Sequence, residues 1–155
     1  MIEIERKFLV DTDQYKEDAT KKSYIVQGFL NSNPARVVRI RIKDDKAYIT
    51  VKGRTDASGL SRFEWEKEIL VIEAKKLLTF CEEGIIEKYR YEVEFEGTLF
   101  EVDEFMGNNQ GLVIAEVELN NPLDTFNRPT WLGKEVTGDA KYYNSNLISN
   151  PYTKW

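Results

Sequence analysis

Stretch after stretch of this chain alternates apolar side chains with charged ones, and the charged positions hold little besides Glu, Asp, Lys and Arg. Glu3, Glu5 and Lys7 alternate with Ile2, Ile4 and Phe8 in the opening "MIEIERKFLV". Arg39, Arg41 and Lys43 alternate with Val38, Ile40 and Ile42, and Tyr48, Thr50 and Lys52 with Ala47, Ile49 and Val51. Arg62, Glu64, Glu66 and Glu68 alternate with Phe63, Trp65 and Ile69. Lys88, Arg90, Glu92 and Glu94 do so with Tyr89, Tyr91, Val93 and Phe95. Glu101 and Asp103 set off Phe100 and Val102, and Glu116 and Glu118 set off Ala115, Val117 and Leu119. A period of two belongs to β-strands, whose successive side chains point to opposite faces. Short connections, "DD" at 44–45 and "EG" at 96–97, suit hairpins and hence antiparallel pairing. Two or three helices complete the pattern. "DTDQYKED" suits a short capped turn; Ala74, Leu77, Leu78 and Cys81 have helical spacing ended by Gly84; Asp139 opens a short helix over about 139–149. The expected fold class is α+β, mainly antiparallel β: about eight strands in a sandwich or barrel, in one domain over 1–155.

A charged face on one strand is ordinary, because antiparallel sheets commonly wet one side. The full set differs from a wet face, which mixes Thr, Ser and Gln with its charges. Same-sign doublets recur here: Glu3/Glu5, Glu64/Glu66, Glu92/Glu94, Glu101/Asp103 and Glu116/Glu118 among the acids, Arg39/Arg41 and Lys88/Arg90 among the bases. Neighbouring like charges repel. Carboxylates two apart on a strand point the same way, within reach of one ion, and oxygen donors suit Mg²⁺ or Mn²⁺. Doublets of Arg and Lys offer forked donors and point charges for phosphate. Closing the strands into a barrel with this face inward hides the strand edges and places both kinds of doublet in one cavity. The apolar face then points outward, beneath the helices and, in a homodimer, a partner subunit.

Composition narrows the chemistry. There is no histidine and one cysteine, so the commonest general base and the thiolate zinc sites are both missing. Any catalysis rests on carboxylates, lysine, arginine, tyrosine and hydroxyls. Cys81 lacks a histidine to activate it and is expected as a buried helix residue. A lone cysteine and an acidic N-terminus without a signal pattern point to the cytoplasm. A net charge of −5 argues against a nucleic-acid partner, and no apolar run is long enough to span a bilayer, so no membrane partner is expected.

The ordered set "EIERK", "VRIR", "TVKG", "FEWEKEI", "IEKYRYEVE", "EVDEF", "AEVEL" and "EVTGDAKYYNSNL" resembles the CYTH domain, or triphosphate tunnel metalloenzyme, over nearly the whole chain. The resemblance is strongest to short bacterial members. It implies an eight-stranded closed tunnel barrel with a charged interior, a divalent metal, Mg²⁺ or Mn²⁺, and a small-molecule triphosphate substrate. The activity it implies is hydrolysis of inorganic tripolyphosphate to diphosphate and phosphate. On the same basis Glu3, Glu5, Glu116 and Glu118 match the metal-binding glutamates. Lys7, Arg39, Arg41, Lys52, Lys88 and Arg90 match the phosphate-binding cations. Glu64, Glu66 and Asp103 match further tunnel acids, suited to a second metal or to the attacking water. Lys7 is a general base only if its pKa is depressed; the glutamates beside it raise it, which makes it a phosphate ligand first.

The pattern departs from the family at Phe29, where short relatives carry Tyr; without that hydroxyl the general base stays open. Glu92 and Glu94 suit a structural or rim role, and Arg54 and Arg62 suit solvated positions. Trp65, Tyr89 and Tyr91 suit core or interface, and Trp131 and Trp155 suit packing of the tail. Three other readings share the sequence: a class IV type adenylyl cyclase, a nucleoside or thiamine triphosphatase, and a non-catalytic polyphosphate- or nucleotide-binding module. Acidic doublets weigh against the last, because carboxylates beside a polyanion repel it unless a metal intervenes.

Overall fold

The alternating stretches fold as strands. The computed structural model describes residues 1–155, with strands β1 (Ile2–Val10), β2 (Lys21–Asn31), β3 (Arg36–Lys43), β4 (Lys46–Gly53), β5 (Ser61–Ile69), β6 (Ile86–Phe95), β7 (Thr98–Phe105), β8 (Val113–Glu118) and β9 (Leu132–Glu135). Helices α1 (Tyr15–Asp18), α2 (Val71–Leu78) and α3 (Asn144–Leu147) flank them. Every pairing is antiparallel, and neighbours follow the order β5-β4-β3-β2-β6-β7-β8-β1. Ile2–Ile4 of β1 pair back onto β5, which closes the eight-strand barrel. The hairpins turn through left-handed residues, Asp44 at φ 53° and Glu96–Gly97 at φ 48° and 81°, as tight right-twisted connections require.

The closing seam is short. β5 leaves β1 after Ile4, and β9 takes over that edge, pairing with Phe8 and Val10. The Val136 N–H donates to Lys7 O at 2.8 Å, and the Lys7 N–H donates to Thr137 Oγ1 at 2.9 Å. This ninth strand has four residues, too few for alternation to reveal it.

Most of the apolar core lies outside the barrel. Phe8, Tyr91, Val93, Phe100, Val102, Ala115 and Val117 point outward and are covered by Tyr15 of α1 together with Trp131 and Leu132. Ile40 and Ala47 point outward under Ala74, Leu77 and Leu78 of α2. A third cluster sits inside. Val37, Ile86, Phe105 and Ile114 each lie two residues from a charged inward position, Phe29 lies two from the inward Gln27, and Leu147 of α3 is buried among them. The inner face therefore has a charged storey and an apolar storey, and the tail seals the apolar one. Burying a leucine side chain is worth roughly 1.5–3 kcal/mol, so Leu147 holds the tail in place.

Several expectations need correction. Helix α2 ends at Leu78, before Gly84; that glycine, at φ +103°, turns the chain into β6 where a Cβ would meet Ile148 O at 2.7 Å. Cys81 lies past the helix and is only partly buried. The tail is a 3-10 turn over Ala140–Tyr142, capped by Asp139, followed by the single turn of α3. Trp65 points outward and is 44% exposed, which removes only the core half of its expected core-or-interface role. Trp131 packs in the outer core against Phe100 and Tyr15, while Trp155 does pack the tail, on Tyr142 and Tyr152.

Candidate active site

The charged storey encloses a cavity of about 300 Å³. Inward positions of β1 and β8 form one wall. Glu5 lies opposite Glu118 in register, and Lys7 lies opposite Glu116. Lys7 Nζ sits 3.3 Å from Glu116 and 3.6 Å from Glu5. Lys52 of β4 reaches Glu3 at 2.9 Å and Glu64 at 3.2 Å. Burial works to raise Glu3, yet the Lys52 ammonium brings it down to about 2. Glu116 is held well below the usual range against its burial, by Lys7 and Arg90. Glu5 is left short of cations. Burial and then the Glu116 carboxylate push it up to about 8, with Lys7 opposing. Burial, Glu3 and Glu101 raise Glu118 in the same direction.

The opposite wall comes from β3 and β6. Arg90 grips Asp103 with two hydrogen bonds, Nε to Oδ1 at 2.7 Å and Nη2 to Oδ2 at 2.8 Å. Lys88 Nζ lies 2.8 Å from Asp103 Oδ2. Arg39 donates to Thr50 Oγ1 at 3.1 Å and to Glu66 at 3.3 Å, but its Nε is buried with no partner. Arg41 has no carboxylate partner; its side chain donates only to Gln27 Oε1, at 3.1 Å. Burial, then the neighbouring Arg39 and Arg90, lower the Arg41 guanidinium below its ordinary value. A buried orphaned donor and a half-buried cation with no counter-ion are costly, and an anion in the cavity relieves both.

Of the residues singled out in the sequence, Glu3, Glu5, Lys7, Arg39, Arg41 and Lys52 line the cavity, as do Glu64, Glu66, Lys88, Arg90, Glu116 and Glu118. Asp103 does not. It is fully buried beneath Lys88 and Arg90, which differs from an acid that holds water or metal directly. Arg62, expected in solvent, lines the cavity 3.6 Å from Glu3; its parity with Glu64 and Glu66 carried that signal. Glu101 is also in the lining, 3.2 Å from Arg90. Tyr143, Asn144 and Ser145 enter from the tail, and no alternation marks them. Phe29 lines the cavity's apolar border. Glu92 and Glu94 lie outside the lining; Glu92 lies 3.8 Å from Lys21.

The carboxylates of β1 and β8 offer only oxygen donors, and Glu5 and Glu118 lack matching cations, so the donor set fits a hard divalent ion. In this conformation no three acids converge on one point, because Glu3 turns to Lys52 and Glu116 to Lys7. Each lysine is a point charge shared between two carboxylates, Lys7 by Glu5 and Glu116 and Lys52 by Glu3 and Glu64, and an ion can take its place.

A cavity with one acidic and one basic wall, built from alternate residues of a closed barrel, has counterparts. The chain is 50% identical over 151 residues to an inorganic triphosphatase of Acetivibrio thermocellus, covering 97% of this chain and 95% of that one. It is 35% identical to an inorganic triphosphatase of Nitrosomonas europaea, covering 95% and 97%. The crystal structure of an inorganic triphosphatase superposes with a TM-score of 0.67 at 32% identity, over 94% of this chain and 93% of that one. The family model described as CYTH domain matches residues 1–148. By sequence and by barrel alike, the chain belongs to the CYTH domain family.

Proposed function

We propose that this protein is a metal-dependent inorganic triphosphatase that cleaves tripolyphosphate to diphosphate and phosphate, with residues 1–155 acting as one catalytic domain. The observation that carries the reading is the pair of opposed walls: acids short of cations on β1 and β8 face cations short of anions on β3. A linear triphosphate with a divalent ion supplies what each wall lacks.

Arg39, Arg41, Lys88 and Arg90 bind and align the phosphate chain, with Lys7 and Lys52 between the walls. Glu3, Glu5, Glu116 and Glu118 would hold Mg²⁺ or Mn²⁺, whose chemistry is to neutralise phosphate charge and lower the barrier to displacement. The water oxygen forms a bond to the terminal phosphorus as the bridging P–O bond breaks. The electron pair leaves with diphosphate, and the water proton passes to a cavity carboxylate or to solvent. Positioning and charge stabilisation carry most of such a reaction. Burial works to lower Lys7, but Glu116 and Glu5 outweigh it and raise its pKa, which suits a phosphate ligand and not a base. Of the lining acids that remain, Glu64 and Glu66 orient water while Glu101 pairs with Arg90, and Asp103 acts behind Lys88 and Arg90 as a brace. A homodimer through outward apolar residues and a cytoplasmic setting complete the proposal; no helix is long and apolar enough to cross a membrane.

The test is phosphate release from tripolyphosphate, ATP and thiamine triphosphate in parallel, with Mg²⁺, Mn²⁺ or EDTA. Metal-dependent turnover that favours tripolyphosphate supports the proposal. Cyclic AMP from ATP, or tight triphosphate binding without turnover, overturns it.

A further inference from the structure

The tail reaches the basic wall through one side chain. Asn144 Oδ1 accepts from Lys88 Nζ at 2.9 Å and from Gln27 Nε2 at 3.0 Å. Gln27 Oε1 in turn accepts from Arg41 Nε at 3.1 Å. Gln27 is fully buried and Lys88 is 1% exposed.

Donor chemistry fixes the direction of this relay. Arg and Lys side chains only donate. Gln27 must turn its oxygen to Arg41, which leaves its amide hydrogens for Asn144. Asn144 must then present its oxygen, which is also what Lys88 needs. Flipping either amide would set donors against donors. Since Arg41 has no carboxylate to aim it, Gln27 sets its direction, and Asn144 sets the direction of Gln27.

Asn144 is itself held from outside the relay. Leu147, in the same helical turn, is buried in the apolar storey. The buried Asn109 donates through Nδ2 to Leu147 O at 3.4 Å, and its Oδ1 accepts from Tyr152 N at 2.8 Å. Both clamps lie on the C-terminal side of Asn144 and fix the tail against the barrel.

We infer that Asn144 is a positioning residue of the triphosphate site: from the tail that plugs the barrel it presets Lys88 directly, and Arg41 through Gln27, in the geometry that receives the anion. The inference rests on the triphosphatase reading. Preset donors lose less freedom on binding, so the effect belongs to substrate affinity.

The experiment measures tripolyphosphate hydrolysis, and tripolyphosphate binding by calorimetry in EDTA, for wild type, Asn144→Ala, Gln27→Leu and the double variant. Asn144→Ala is expected to raise KM about tenfold while kcat changes less than about threefold, because a charge-assisted hydrogen bond and its aim are lost. Gln27→Leu, which cuts only the Arg41 arm, is expected to raise KM about threefold. The double variant should match Asn144→Ala alone, because both act on one relay. A loss of packing alone would lower the melting temperature without this split or this non-additivity. An unchanged KM in Asn144→Ala, or effects that multiply in the double variant, overturns the inference. If Asn144→Ala does not fold, Gln27→Leu and Asn144→Ser decide: KM unchanged in Gln27→Leu overturns it, and Asn144→Ser, which keeps an acceptor, should fall between wild type and Gln27→Leu. A wild type inactive on tripolyphosphate sinks the triphosphatase reading instead, and the binding data then judge the relay by itself.

Discussion

Across the cavity, β1 and β8 hold Glu5 between Glu116 and Glu118, while β3 and β6 hold Arg41 beside Arg39 and Arg90. The two walls neutralise themselves differently. On the acid wall the nearest counter-charges are lysines, Lys7 on Glu116 and Lys52 on Glu3, with Arg90 and Arg62 farther off at 3.7 and 3.6 Å. An ammonium is a point charge on a flexible stem, so those carboxylates can be released to another cation. On the basic wall the counter-charge is Asp103, fully buried and bound to Arg90 by two hydrogen bonds. That fork is fixed. One wall is a set of carboxylates on loose tethers; the other is a preformed anion seat. Within each wall, tightly paired residues hold the architecture, and the under-neutralised ones, Glu5 with only Lys7 at 3.6 Å and Arg41 with no carboxylate, mark where a ligand's charge belongs.

Substitutions can break this comparison or sharpen it. The largest effect is expected for Glu5→Gln. Metal-dependent tripolyphosphate hydrolysis should fall by about a thousandfold, the scale for losing metal-borne charge stabilisation. Tripolyphosphate affinity in EDTA should not fall, because the substitution removes no cation from the anion seat. A parallel loss of that affinity would show that the acid wall binds the anion, and the distinction between the walls would go.

Next is Asp103→Asn. It leaves Arg90 and Lys88 buried without their shared carboxylate, and breaking such a pair costs about 3–5 kcal/mol. Chemical denaturation should show a loss of that size. A loss under about 1 kcal/mol would mean that the basic wall is tethered as loosely as the acid wall.

Arg41→Met should act in opposite directions on binding and stability. KM for tripolyphosphate should rise about thirtyfold, the value of charged hydrogen bonds to the substrate. Stability should rise by up to about 1 kcal/mol, because a half-buried cation with no carboxylate partner becomes apolar. A fall in stability would place Arg41 among the structural charges.

The smallest expected effect is on the acid limb of stability. Burial works to raise Asp103, but Arg90 and Lys88 hold its pKa below the ordinary 3.8. The unfolded chain therefore binds the proton more readily, and stability present above about pH 4 is lost as pH falls through the lower folded value. Thermal melts of Asp103→Asn should show a shallower acid decline than wild type. Equal slopes would assign the decline to other carboxylates.

Much of the fold was readable because alternation is local. Arg39, Arg41 and Lys43 against Val38, Ile40 and Ile42 leave no choice but a strand with two unlike faces. The site was readable for the same reason: the residues that line the cavity are mostly those alternate charges. Arg62 was misplaced although it shares parity with Glu64, because its exposure depends on where β1 closes the ring. β9, the end of α2 and the tail's 3-10 turn escaped because each is short and set by contacts with distant residues. Asn144 lay inside the stretch "EVTGDAKYYNSNL" but nothing there marked its role, which comes from Leu147 seating the tail against Phe29 and Ile86.

By itself the sequence determined the strands, the two faces of each and the kinds of charge that would share a face, because a period of two is written in neighbouring residues. Only the tertiary structure decided which charges meet. Closure of β1 onto β5 set Lys52 against Glu3, and β6 beside β7 set Arg90 against Asp103. The first joins residues far apart in the chain through barrel closure; the second spans the β6–β7 hairpin and is fixed by its register. They alone separate a charge that is neutralised inside the fold from one, like Glu5 or Arg41, that is left for a ligand.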